Sequence, residues 1–233
     1  MARLTLALFD IDGTLLRSAG GGRGAMAQAA SSLFGRPDLF DDLSFAGAVD
    51  SEIVARALAN AGIPPTPRRI GRMRASYGRA LKRTLSARRG SVCPGVVDAV
   101  RTVSERAEVG LLTGNWVEGA RTKLQAYRLW HIFDGCVGAY GSDGMHRDEL
   151  IPVAHRRAVR RWGPIDRVVL IGDTPADVQA ARAASAVFGA SGPTVIAVAV
   201  GTGYATPEAL EASKPDLLVP DLVQGLEALL GCL

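Results

Sequence analysis

Residues 4–9 form a nearly unbroken apolar run, with Thr5 its polar member, and the run stops abruptly at Asp10-Ile11-Asp12-Gly13-Thr14. A short run of this kind predicts a buried strand, here one that ends in charge. From residue 17 onward the spacing of apolar positions is helical. It predicts helices over 25–33, over 51–61 with Asp50 as N-cap and Gly62 just past the end, and over roughly 67–89, with no strand between 17 and 92. Beyond Val92 the period alternates. Helices are expected over 95–106, 116–129, 149–162, 175–184, 207–212 and 222–230, and strands over 109–112, 136–139, 168–171, 195–200 and 217–219. Apolar strands alternating with helices predict an α/β fold, a Rossmann-like and mostly parallel sheet with helices on both faces. In such sheets ligands bind beyond the carboxyl ends of the strands.

Composition sharpens this picture in two places. The chain has 233 residues, 48% of them hydrophobic, enough for a sizeable core. It has no run approaching the ~18 apolar residues of a membrane span, and the early acidic pair interrupts any signal-peptide core, so a cytoplasmic location is expected. Cys93, Cys136 and Cys232 are widely spaced, without a CxxC pair, and read as reduced, packed thiols. Charge is uneven: residues 17–93 carry thirteen Lys/Arg against five Asp/Glu, and the remainder fourteen against eighteen. Residues 17–92 therefore read as a separate small all-helical unit inserted in a core made of 1–16 and 93–233. The third helix of this unit, with Arg68, Arg69, Arg72, Arg74, Arg79, Lys82, Arg83, Arg88 and Arg89 and no acid, suits a solvated face first, an electrostatic lure for anionic substrate second, and a nucleic-acid surface last.

Candidate chemistry gathers at the predicted strand ends. Asp10 and Asp12, two apart, share a face of an extended chain and repel each other unless a cation or proton lies between them; a hard divalent ion such as Mg2+ suits oxygen ligands of this kind. Gly13 permits the tight turn that follows. Thr113, with the N–H groups of Gly114 and Asn115, can donate to a phosphoryl oxygen, although a helix N-cap is the other role open to Thr113. Arg147 is a lone cation before a helix, placed either to hold an anion or to pair with Asp148 or Glu149. Asp173 follows a strand and Asp177 stands one helical turn on, so both can add oxygens to a cation site. Residues 17–24, RSAGGGRG, read as a glycine hinge rather than a phosphate cradle, and Arg23 within them is a candidate to grip a substrate anion.

Together these residues resemble the haloacid dehalogenase-like hydrolase superfamily over nearly the whole chain. Asp10-Ile11-Asp12-Gly13-Thr14 looks like its first motif, Thr113 fits the second, Gly172-Asp173-Thr174-Pro175-Ala176-Asp177 fits the fourth, and Arg147 stands where the third usually has a lysine. The resemblance implies a helical cap after the first motif, and a phosphatase similar to phosphoglycolate phosphatases. It further implies Mg2+ held by Asp10, the main-chain carbonyl of Asp12 and Asp173, an aspartyl-phosphate on Asp10, and Asp12 as acid and then base. Relatives that attack carbon lack an aspartate at the position of Asp12, and phosphonatases carry a small residue there. The expected partner is a small phosphorylated substrate, with the protein a monomer or homodimer and neither membrane nor nucleic acid required. Residues 45–50 occupy the place of a specificity loop. Two rival readings stand: a phosphosugar mutase of the same fold, and a non-catalytic binding protein using the basic helix.

Overall fold

The computed structural model describes residues 4–87 and 89–233; Arg88, one of the basic residues of the third helix, lies outside the described residues. Six parallel strands form one sheet in the order β5-β4-β1-β6-β7-β8. They are β1 (Thr5–Phe9), β4 (Glu108–Thr113), β5 (Val137–Tyr140), β6 (Arg167–Gly172), β7 (Thr194–Val200) and β8 (Leu217–Val219). β1 is central, and Phe9 lies opposite Leu111 on one side and Ile171 on the other. That register brings Asp10, Thr113 and Asp173 to the same edge of the sheet.

Alternation within the strands sends side chains to two separate cores. Ala7, Phe9, Leu111 and Ile171 pack with residues of α4 (Val96–Ser104), α5 (Val117–Ala126), α6 (Trp130–Phe133) and α10 (Leu226–Gly231). Leu6, Leu8, Leu112 and Leu170 pack with α7 (Leu150–Trp162) and α8 (Pro175–Phe188), and Leu210 of α9 (Pro207–Ala212) joins that face. Burying both faces is why these strands are near-continuous apolar runs rather than alternating ones. The mostly parallel α/β architecture expected from the alternation is thus present.

Between β1 and α4 the chain leaves the sheet to form α1 (Gly21–Phe34), α2 (Asp50–Asn60) and α3 (Pro67–Ala87). Their apolar faces, including Met26, Ile53, Leu58, Met73 and Tyr77, make a third core with Phe40 of the connection between α1 and α2, and Trp116 joins it. A strand pair absent from the sequence reading, β2 (Leu16–Arg17) against β3 (Ser91–Val92), ties the entry and exit of this unit together. Two residues per strand are too short for any periodicity to register.

Two local expectations are corrected. α1 begins at Gly21, four residues before the predicted start, so the glycine stretch is the first turn of a helix and the connecting segment shrinks to residues 18–20. The reason is close packing: a Cβ on Gly21 would meet Leu85 of α3, and one on Gly22 would lie 3.3 Å from the Lys123 ammonium. Asp50 is not an N-cap either. Val49 occupies that position in extended geometry, and Asp50 is the first residue of α2, its carboxylate accepting instead from the Trp116 N–H at 2.9 Å.

Candidate active site

The carboxyl end of β1 delivers Asp10 into a crevice lined by the ends of β4 and β6. Asp10 is 5% exposed, and Arg147, itself 7% exposed, places Nη2 3.0 Å from its Oδ2. Arg147 also donates from Nε at 3.0 Å, and from Nη2, to Asp177 Oδ1. It therefore does not pair with Asp148 or Glu149 on its own 3-10 turn, one of the two roles left open for it. Burial opposes the guanidinium charge, but the carboxylates of Asp10 and Asp177 outweigh that and hold it protonated. For Asp10 the balance tips the other way. Burial raises its pKa from 3.8 to about 6, Arg147 pulls it down, and Asp177 and Asp12 push it up.

Asp173 follows Gly172 at the end of β6 and is 1% exposed. Its Oδ1 accepts from Thr14 Oγ1 at 3.2 Å, whereas its Oδ2 is buried with no hydrogen-bond partner among the described residues. Burial, with Asp10 and Asp177 nearby, raises its pKa well above the ordinary carboxylate range. Gly13, at φ 91°, and Gly203 both close over this carboxylate, leaving no room for a side chain. Oxygens of Asp10, Asp173 and Asp177 lie within 4.8 Å of one another. Arg147 offsets part of this charge, and the orphaned Asp173 oxygen beside Asp10 is a hard donor of the kind that suits Mg2+.

The fourth aspartate of the predicted metal set behaves differently. The Asp12 side chain is absent from that cluster and turns toward β4 and α5, so its carboxylate is not one of the grouped oxygens. Asp177 has both oxygens engaged: Oδ1 by Arg147, and Oδ2 by Thr174 N at 3.0 Å and Thr174 Oγ1 at 2.7 Å in a capping box at the start of α8. It braces Arg147 and the turn after β6.

Thr113 is the last residue of β4, fully buried, and not a helix cap, since Trp116 caps α5. Its Oγ1 accepts from Asn115 N at 3.3 Å and Asn115 Nδ2 at 2.8 Å, leaving the hydroxyl proton to point elsewhere. Gly114 is required by a close approach, because its Cβ would collide with the Ala48 carbonyl, and its own carbonyl accepts from Asp50 N at 2.8 Å. Asn115 Nδ2 reaches Asp12 Oδ2 at 2.7 Å. A cation that sequence reasoning missed completes the group: Lys123 Nζ lies 2.5 Å from Asp12 Oδ2 and 2.6 Å from Asn115 Oδ1. The signal was there in α5, where Gly119, Ala120, Lys123 and Leu124 form the buried stripe, and a lysine on an apolar stripe needs a partner.

These groups face a cavity of about 360 Å3, whose far wall comes from the helical unit: Met26, Phe45, Ile53 and Tyr77, with Gly47 and Ala48 of the expected specificity loop. Arg23 lines it too. Its guanidinium donates to Phe40 O at 2.7 Å and Leu43 O at 2.5 Å and lies 4.3 Å over the Phe45 ring, so much of its hydrogen-bonding capacity holds the unit together.

Asp50 is the acid of that wall, buried and raised from 3.8 to about 6; burial is the main cause, while Lys123 and the Trp116 N–H pull it down and Asp12 pushes it up. Tyr77 also faces it. A carboxylate with a raised folded-state pKa binds its proton more tightly in the native protein, so stability is full below about pH 4 and is lost as pH rises to about 6. For metal-free protein, Asp50→Asn should therefore be more stable than the parent above about pH 6 by roughly 1–3 kcal/mol, the advantage vanishing near pH 4. Urea denaturation in chelator at several pH values measures it, and parallel curves for the two proteins would refute the assignment.

A model of haloacid dehalogenase-like hydrolases matches residues 7–182, and a second, of hydrolases of the same kind, matches 150–225. Over 187 residues the chain is 29% identical to a phosphoglycolate phosphatase of Cereibacter sphaeroides, covering 78% of this chain and 82% of that one. Its fold is similar to a hydrolase from Pseudomonas syringae (TM-score 0.69, 19% identity, 99% of both chains) and to a candidate β-phosphoglucomutase from Bacteroides vulgatus (TM-score 0.67, 18% identity, 99% of this chain and 90% of that one). No helix among the described residues is long and apolar enough to cross a membrane. With the family model spanning most of the sheet and all the strand-end aspartates, the chain belongs to the haloacid dehalogenase-like hydrolases.

Proposed function

We propose that this hydrolase is a Mg2+-dependent phosphatase that cleaves small phosphate monoesters through an aspartyl-phosphate on Asp10. The observation that carries the reading is the pairing of Asp10 with Arg147 at 3.0 Å, beside an Asp173 oxygen that has no hydrogen-bond partner among the described residues, at the floor of a cavity large enough for a small metabolite. Asp10, Asp173 and the Asp12 carbonyl would hold the ion, with Asp177 bracing them. The ion would neutralise the phosphoryl oxygens and the carboxylates together.

The steps follow from the chain's own groups. The Asp10 carboxylate forms a bond to phosphorus as the bond to the leaving oxygen breaks, and Asp12 hands that oxygen its proton. Asp12, now ionised, takes a proton from the water that attacks the aspartyl-phosphate, which releases phosphate and restores Asp10. Arg147, the Thr113 hydroxyl and the Gly114 N–H support the phosphoryl oxygens, while the Asn115 N–H is engaged by Thr113 Oγ1. The helical unit, 17–92, acts as a cap that covers the site and excludes water. Its mixed wall, with the Arg23 cation and Asp50 acid on an apolar surface, suits a small, partly polar leaving group. The phosphoglycolate phosphatase relatives support a short phosphorylated acid as one candidate.

The test is phosphate release from a panel of phosphoglycolate, sugar phosphates, nucleotides and pyrophosphate, with Mg2+ and with chelator. Release from at least one monoester that depends on the metal is the expected result. No metal-dependent release from any member would refute the reading.

A further inference from the structure

Two cations enter the site from the sheet side, and they serve different aspartates. Arg147 takes the contact to Asp10, so Lys123 is left with none to the nucleophile. Lys123 is 4% exposed, and an ammonium on the buried stripe of α5 is costly unless its partners compensate. Its partners are Asp12 Oδ2 and Asn115 Oδ1, and Asn115 donates in turn to the same Asp12 oxygen while anchored by its second contact to Thr113 Oγ1. Gly22 closes over the ammonium from the first turn of α1, where a Cβ would come within 3.3 Å, and Asp50 faces it from α2.

We propose that Lys123 and Asn115 are positioning residues that lock the rotamer of Asp12, so that Oδ1 alone carries the proton to the leaving group. The inference rests on the phosphatase reading and adds a role for two side chains to which that reading gives none. Two N–H donors converge on Oδ2, at 2.5 and 2.7 Å, and a proton on that oxygen would meet both head-on. Oδ1 accepts no hydrogen bond among the described residues, and the side chain is 31% exposed toward the cavity. In the first step the proton leaves Asp12 Oδ1 for the leaving oxygen as the P–O bond breaks, giving an alcohol, an aspartyl-phosphate and an ionised Asp12. In the second it returns to the same oxygen from water. Without the two donors the carboxyl group can turn, and only part of its conformations reach the leaving oxygen.

The consequence is a dependence on leaving group that loss of fold does not produce. An alkyl alkoxide needs the proton; p-nitrophenolate does not. Lys123→Met and Asn115→Ala should lower kcat/KM for an alkyl phosphate such as glycerol phosphate by about 10²-fold, within the usual contribution of a placed acid. The loss for p-nitrophenyl phosphate should be at least about tenfold smaller by the same reasoning. Lys123→Arg should recover part of the difference. The ratio between two substrates in one sample is insensitive to the fraction of folded protein, and Asn115→Ala stands in should the lysine variants be insoluble. Equal losses on both substrates in both variants would overturn the positioning role while leaving the phosphatase reading intact. The alkyl ester used is one that the parent turns over, and absence of metal-dependent release by the parent from every member of the wider panel would overturn both.

Discussion

Asp10→Asn is expected to lower phosphate release by about 10⁴-fold or more, because an amide of the same shape cannot attack phosphorus, and loss of a nucleophile that works as part of a unit removes nearly all its catalysis. The fold should survive. Asp10 is buried beside Asp173 and Asp177, with burial already raising its pKa to about 6, so removing its charge relieves repulsion in the metal-free protein. The variant should therefore melt no lower than the parent in chelator while losing activity with Mg2+ present. Thermal melts and phosphate release on the same samples check both halves. Retention of more than about a tenth of the parent rate would exclude Asp10 as the nucleophile, since a residue so used cannot be dispensed with that cheaply.

Arg147→Met has the second largest expected effect, and its main readout is stability. The guanidinium is buried between Asp10 and Asp177, with Asp173 near, and no other cation touches those three carboxylates among the described residues. Removing one partner of a buried pair leaves uncompensated charge, at a cost of about 3–5 kcal/mol at neutral pH. Mg2+ should recover part of the loss by binding the folded state, as mass action requires. Arg147→Lys should fall between, keeping the charge but losing the fork that reaches Asp10 and Asp177 at once. Urea denaturation with and without Mg2+ measures these differences. A loss under about 1 kcal/mol for Arg147→Met would mean that Arg147 behaves as a surface ion pair, against its burial.

The strand ends were readable because the information there is local. An apolar run followed by Asp-x-Asp-Gly, or by Gly-Asp with Pro-Ala-Asp after it, states a buried strand, a tight turn and a charged terminus within about ten residues. The rhythm of helix and strand after Val92 states a parallel sheet in the same way, and the family's motifs added the order in which its ends converge. The all-helical character of residues 17–92 came from period and charge, without the two-residue ribbon that closes it.

What chain order cannot express is which groups oppose each other across the crevice. Nothing near Arg147 in sequence says that its partners are Asp10 and Asp177 rather than Asp148 and Glu149; burial after folding decides it, since a buried guanidinium must face carboxylates. Asp50 reads as a helix cap until Trp116 is brought beside it. The glycines at 21 and 22 read as a hinge until α3 and Lys123 close on them. Lys123 itself stands 111 positions from Asp12, and only the packing of α5 against the end of β1 gives that lysine its purpose. Local composition thus determined the elements and the acids at their ends. Tertiary packing decided the partners, because the free energy of a buried charge depends on its neighbours in space and not in sequence.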